Sequence, residues 1–416
     1  MFIKDEISVF DFVFAISEAV DLASPSLNRH HKKVAYIACR IAEQMNLPDD
    51  EIRNIALAAI LHDIGAFSLN ERALAQNPGM DHNDIEAKNH AMIGYRLLKN
   101  FEPLEKVAVL IRHHHVDYNK SARGVPIGAY VLHLADRVSV LYDENQEILE
   151  QVPAVLERLA SSQQLYHPQA FAALSELAKF EYFWIEAYLL PDDGIFPHRL
   201  RPQKELLNLE TLRGFAKVFA QVIDFRSHFT ATHSSGIAAV ALELTSIAGF
   251  SERECKLMEI AGFLHDLGKL AVSNDVLEKH GKLDHKEFNV MRKHTYYTYI
   301  ILRKIKGLEQ IAEWAAFHHE RLDGNGYPFH VQGNELSLLS RIMAVADIFT
   351  AITEDRPYRE GMSEEKTIGV LTNMASRGAI DKRIVDLVKE NFHRINDVRM
   401  KAQDEAMKTY HNFHGS

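Results

Sequence analysis

Two cysteines among 416 residues, Cys39 and Cys255, leave no material for a disulfide framework or a thiolate-rich zinc site. Both fall inside apolar helical stretches, where a small buried side chain accounts for them. No run of 18 or more apolar residues occurs, and the opening MFIKDEISVFDF lacks the basic start and long apolar segment of a secretory leader. The reading is a cytoplasmic protein with no membrane partner. Excess positive charge is missing too: 57 acidic residues against 47 basic ones give a net charge of −10. That excludes a surface built to grip DNA or RNA along its whole length. The imbalance is uneven, with 28 acidic and 19 basic side chains in residues 1–203, so the second half repels an anionic substrate less. Hydrophobic residues at 47% and charged residues at 25% rule out wholesale disorder.

What the chain has in abundance is histidine, 23 residues in all, many beside an Asp or a second His within apolar segments. They are organised by a repeat. Residues 29–65 (RHHKKVAYIACRIAEQMNLPDDEIRNIALAAILHDIG) align without a gap on residues 232–268 (THSSGIAAVALELTSIAGFSERECKLMEIAGFLHDLG) at an offset of 203. His30 falls on His233, His62-Asp63 on His265-Asp266 and Gly65 on Gly268. At an offset of 204, His90 falls on His294 and His114-His115 on His318-His319; at 211, Asp136 falls on Asp347. A tandem of two domains, residues 1–195 and 196–416, follows, broken near the proline-rich PDDGIFPHRLRP of residues 191–202.

The fold class is all-α, two tandem helical domains. Val34, Ile37, Ala38, Ile41, Ala42 and Met45 recur at three and four residues, one apolar helical face. Residues 209–223 and 252–264 behave alike, with Ser251 as an N-cap. Residues 319–337, with three glycines and a proline, predict an irregular loop. The aromatic FEYFWIEAYLL of residues 180–190 is expected to pack the two domains together.

In the second half, His233, His265-Asp266, His294, His318-His319 and Asp347 come from separate helical stretches. Imidazole and carboxylate together suit Fe, Mn, Zn or Ni better than Ca or Mg. Adjacent helical residues point about 100° apart, so a His-Asp pair can span two metals, or one metal and a bound water. A lone buried histidine is usually no more than a satisfied core residue. Seven such groups without a cation would instead leave several buried polar atoms wanting partners, at about 1–3 kcal/mol each.

The order His…His-Asp…Asp resembles the HD superfamily of metal-dependent phosphohydrolases. HDLGK (265–269), HHERLDGNGYP (318–328), ADIF (346–349) and DRPYR (355–359) are similar to the HD-GYP family, whose members hydrolyse cyclic dinucleotides. The resemblance spans residues 209–391. It implies His233, His265, Asp266, His294, His318, His319 and Asp347 as ligands of two divalent ions, Fe or Mn, with Asp266 bridging and catalytic. It implies Lys269 as a catalytic contact to the scissile phosphate, and Tyr327, Pro328, Arg356 and Arg359 as substrate-binding, with Arg341 assisting. Some members hold a third metal on two further carboxylates, whose positions here are Phe229 and Thr350, so two ions are expected. The implied reaction is hydrolysis of cyclic di-GMP or 3′,3′-cyclic GMP-AMP by a metal-activated hydroxide to the linear dinucleotide, or onward to mononucleotides. The alternatives are an HD hydrolase of another nucleotide phosphoester and a non-catalytic signalling scaffold.

The first half resembles a diverged HD domain. His30, His62, Asp63, His90, His114, His115 and Asp136 are its candidate metal ligands. Ala66 stands in the place of Lys269, Tyr130 in that of Arg341 and Asn145 in that of Arg356, while VDYNKSARGVP (116–126) replaces the GYP segment. A regulatory or dimerising module that binds metal but hydrolyses poorly is expected, with a second copy of the chain among the candidate partners.

Overall fold

The structure is a computed structural model and describes residues 7–21, 29–66, 85–121, 123–143, 146–189, 206–224, 232–277, 279, 281–355 and 359–414. Among these residues the only sheet is a two-residue antiparallel pair, β1 (Ile7–Ser8) with β2 (Leu206–Leu207), and the rest of the ordered backbone is helical, as expected. The chain forms two compact units. One is Ser24–Glu205; the other is Leu206–Ser416 joined by Met1–Ala23. This differs from the expected 1–195 and 196–416 division at the N-terminus. The reason is apolar patterning: in α1 (Val9–Asp21), Phe12 is fully buried between Phe215 and Phe219, at ring separations of 5.5 and 5.7 Å.

The first unit is built from α2 (His30–Gln44), α3 (Asp49–Leu61), α4 (Ile85–Leu98), α5 (Glu105–His113), α6 (Ile127–Ser139), α7 (Ile148–Ser161), α8 (Pro168–Leu177) and α9 (Glu181–Leu189). Helix α2 packs on α3, α6 and α8; of its predicted stripe, Val34, Ile37, Ala38, Ile41 and Ala42 are buried, and Met45, just past the helix end, is half-buried. Helix α9 spends Phe183, Trp184 and Ala187 on α2 and α7 of its own unit, with Phe183 against Tyr36 and Trp184 donating to the Ala178 carbonyl.

The second unit contains α10 (Leu209–Asp224), α11 (His233–Ile247), α12 (Glu252–Leu264), α13 (His285–Arg303), α14 (Glu309–Ala316), α15 (Leu338–Thr353), α16 (Glu364–Ser376), α17 (Lys382–Glu390) and α18 (Phe392–His414). Local sequence sets their starts. Ser251 and Glu254 close a capping box on α12, and Asp284 with Glu287 does the same for α13. Helix α11 is central, packed on α12, α15 and α18. Residues 320–337 are irregular, as predicted.

Candidate metal centre

In the second unit all seven predicted ligands meet. His233 opens α11, His265 and Asp266 follow the last turn of α12, His294 lies mid-way along α13, His318 and His319 follow α14, and Asp347 lies on α15. Their candidate ligand atoms fall into overlapping groups: His233, His265 and Asp347; His265, Asp266 and His318; His294, His318 and His319. Within each group the atoms lie within 4.8 Å of one another. Asp266 divides its carboxylate, with Oδ2 3.1 Å from His265 Nε2 and Oδ1 3.4 Å from His294 Nε2. Asp347 does likewise, with Oδ1 3.7 Å from His233 Nε2 and Oδ2 3.7 Å from His319 Nδ1. Each of the two carboxylates thus faces two imidazoles. The donor set fits divalent metal, since the buried imidazole nitrogens crowd together at distances such as 3.3 Å (His294 to His318) that a shared proton or cation relieves.

Backbone geometry aims the rings. His265, His294 and His318 each point Nδ1 at the carbonyl three residues earlier (Gly262, Met291 and Ala315) at 2.6–2.7 Å, which leaves Nε2 facing the centre. His233 is the first residue of its helix and has no such preceding turn. Its Nδ1 lies 3.1 Å from Glu354 Oε2, and Glu354 also accepts from Gln403 Nε2 of α18 at 3.0 Å. The N-terminus of α11 is held by Asp224, which accepts from the Ser234 N–H at 3.1 Å and hydroxyl at 2.8 Å. Thr298 ties the turn after His265 to α13, accepting from Gly268 N–H at 2.9 Å and donating to the His265 carbonyl at 3.0 Å.

Burial decides the protonation states. It pushes His294 down to about 3 and holds His318 and His319 below the usual imidazole range, the neutral form a metal requires. Burial alone would raise Asp266, but His265 and Lys269 beside it keep the carboxylate ionised. Burial would lower His233 as well, but the Glu354 carboxylate outweighs it and lifts the imidazole to about 10. Lys269 reaches Asp266 Oδ2 at 2.5 Å; burial opposes its charge, and Asp266 more than restores it.

The substrate-side expectations fare unevenly. Tyr327 lies beside the centre, its ring 4.9 Å from that of His319. Pro328 follows it through a cis peptide bond. Glu320, buried at the start of the loop, accepts from Phe329 N–H at 2.7 Å and Val331 N–H at 3.2 Å and so holds the GYP turn. The Arg341 guanidinium donates to the Leu336 and Gly333 carbonyls and pairs with Asp381 at 3.0 Å, anchoring the far end of the loop to the cap of α17. Arg359 donates to the Ala351 carbonyl at the end of α15. Arg356 and Phe229 lie outside the described residues.

The first unit carries a parallel cluster. His90, His114 and His115 group together, as do His30, His62 and Asp63. Asp63 Oδ1 is 3.4 Å from His90 Nε2, and Asp136 Oδ1 is 3.4 Å from His30 Nε2. Two members were missed by sequence reasoning. His31, buried, sits 3.9 Å from Asp63. Arg137, also buried, pairs with Asp136 at 2.8 Å, placing a fixed positive charge where the second unit has Ile348. His31 is visible only as the second half of a His-His pair. Glu354, the other omission, directly precedes the DRPYR motif with nothing in its spacing to distinguish it.

The HD-domain family profile matches residues 28–141 and again 217–384. Over 403 residues the chain is 30% identical to the 3′3′-cGAMP-specific phosphodiesterase 1 of Vibrio cholerae, covering 91% of this chain and 90% of that one. It is 38% identical over 170 residues to the cyclic di-GMP phosphodiesterase response regulator RpfG of Xanthomonas campestris, covering 40% and 44% of the two chains. The fold is that of the crystal structure of the V. cholerae cyclic GMP-AMP phosphodiesterase V-cGAP3, with a TM-score of 0.64, 22% identity and coverage of 93% of this chain and 98% of that one. The fold and site therefore define a metal-dependent phosphohydrolase. The chain belongs to the HD superfamily, with two HD domains in tandem.

Proposed function

We propose that the chain is a cyclic-dinucleotide phosphodiesterase working in its second unit, with cyclic di-GMP or 3′,3′-cyclic GMP-AMP as substrate. The observation that carries this is the split Asp266 carboxylate facing two groups of histidines, with Lys269 against its Oδ2. The relatives named above, acting on these two substrates, support it. His233, His265, Asp266, His294, His318, His319 and Asp347 would hold two divalent ions, Fe or Mn. Such a pair supplies, when bound, a water acidified towards neutrality and positive charge near phosphorus. The chain's own residues do the rest. The neutral imidazoles of His294, His318 and His319 are ready to bind cations without first losing protons, whereas His233, held protonated beside Glu354, gives up a proton to do so. Lys269 offers its ammonium to the negative charge that develops on the phosphoryl oxygens. Tyr327, set by the Glu320-anchored loop, closes one side of the site, and Arg356 and Arg359 serve the phosphates.

The first unit, lacking any lysine at Ala66 and with Arg137 already on Asp136, binds metal without hydrolysing dinucleotides and serves as a regulatory or dimerising module. Full-length similarity to a cyclic GMP-AMP-specific enzyme keeps that substrate beside cyclic di-GMP. The test is purified protein loaded with Fe(II), Mn(II) or Ni(II) and offered each cyclic dinucleotide, with products resolved by chromatography. Conversion to a linear dinucleotide is expected; no consumption with any metal refutes the reading.

A further inference from the structure

One face beside the metal centre is unaccounted for by cation binding. Phe288 and Arg292 are four residues apart on α13 and share a side of the helix. The Arg292 guanidinium carbon lies 5.1 Å from the Tyr327 ring centre and 5.8 Å from that of Phe288. Phe288 stands nearly perpendicular to Tyr327, at 84° and 6.2 Å, and is 43% exposed. The Tyr327 ring in turn lies 4.9 Å from that of His319, tilted at 44° to it, and His294 is two residues beyond Arg292 on the same helix. Two aromatic rings and a guanidinium plane therefore adjoin the ligating histidines, one ring removed from them. Among the described residues no hydrogen bond or ion pair engages the Arg292 guanidinium.

A lone exposed phenylalanine would need no explanation. Here the exposed ring is joined to a tyrosine and an arginine next to the position a scissile phosphate would take, and each presents a flat face. Nucleobases stack on such faces whatever their identity. A guanidinium adds selectivity, because its paired N–H donors match the O6 and N7 acceptors of guanine. Adenine presents an N6 donor at the same edge and would meet Arg292 donor to donor.

We propose that Phe288, Arg292 and Tyr327 form a base-reading shelf that takes one guanine of the substrate, with Arg292 on its O6/N7 edge. The proposal rests on the cyclic-dinucleotide reading above and deepens it: one guanine suffices, so cyclic di-GMP and 3′,3′-cyclic GMP-AMP are both accepted and cyclic di-AMP is disfavoured.

The experiment compares KM and kcat of Mn(II)-loaded wild type, Arg292→Ala, Arg292→Lys and Phe288→Ala. Substrates are the three cyclic dinucleotides and bis(p-nitrophenyl) phosphate, a diester without a base. Arg292→Ala should raise KM for both guanine-containing dinucleotides about tenfold or more, and lower their advantage over cyclic di-AMP by a similar factor. Its effect on the base-free diester should be far smaller. Arg292→Lys keeps the charge but not the fork, so it should restore little of the discrimination. Phe288→Ala should raise KM for all three dinucleotides alike, because stacking is indifferent to base identity. Unchanged guanine preference in Arg292→Ala, or an equal KM rise on the base-free diester, overturns the shelf alone. A wild type that cleaves the base-free diester and no cyclic dinucleotide overturns the shelf and the underlying reading together.

Discussion

Asp266, like Asp347, turns its two oxygens to different histidines, one to His265 and the other to His294. Asp266→Ala should abolish hydrolysis and lower the bound metal measured by elemental analysis. Lys269→Ala should leave metal content intact and reduce kcat by roughly 10²–10³, the usual cost of deleting one group that stabilises transition-state charge; normal turnover would remove the lysine from the chemistry. Glu354 acts through His233. Glu354→Ala should weaken metal binding about 10–100-fold in a chelator competition, the range for a lost carboxylate behind a ligating histidine. Glu354→Gln, which keeps an acceptor, should fall between it and wild type. The seven residues that meet in the second unit were legible because they recur in two copies with near-constant spacing. Glu354, His31 and Arg137 were not, because each acts through a contact between distant elements that no periodicity records. Nor were the Arg341 contacts, which join the Leu336 and Gly333 carbonyls of its loop to Asp381 forty residues on.

Helices were legible from apolar spacing, and Ser251 from its capping pattern, but closeness of approach was not. A Cβ on Gly268 would lie 1.9 Å from the His294 carbonyl oxygen and 2.8 Å from the Thr298 nitrogen. Gly65 has the equivalent place in the first unit, 2.1 Å from the His90 carbonyl oxygen. In both units the turn after the His-Asp pair therefore presses on the backbone of the next ligand's helix. Gly268→Ala should displace α13 and His294 with it, at about 1–3 kcal/mol of stability, as overpacking usually costs. Metal content should fall while far-ultraviolet circular dichroism keeps its helical form. Retained metal and an unshifted thermal midpoint would show that the contact has room to give. Gly326 belongs to the same class, its missing Cβ leaving space for the backbone of residues 319–321 and so for the turn that delivers Tyr327.

At the scale of the whole molecule, the repeat predicted two domains of equal standing, and the exception is the N-terminal helix. Its sequence is apolar enough to be read as the start of the first domain, and only the tertiary contacts assign it to the second. Helix α1 packs on residues 267–271, the turn that carries Lys269, and on α13, so residues 9–21 support the elements that present Asp266 and His294. Phe12, with no exposure and two phenylalanine neighbours, is the anchor. Phe12→Ala should cost about 3–5 kcal/mol. In a unit of this size that lowers the thermal midpoint by roughly 6–20 °C. The loss should fall on the second unit, so metal retention by Asp266 and its partners should weaken on heating before the first unit unfolds. A fragment comprising residues 206–416 without the N-terminal segment should show the same deficit and recover when a peptide of residues 1–23 is added. A fragment as stable as the full chain would place the helix outside the folding unit of the metal centre.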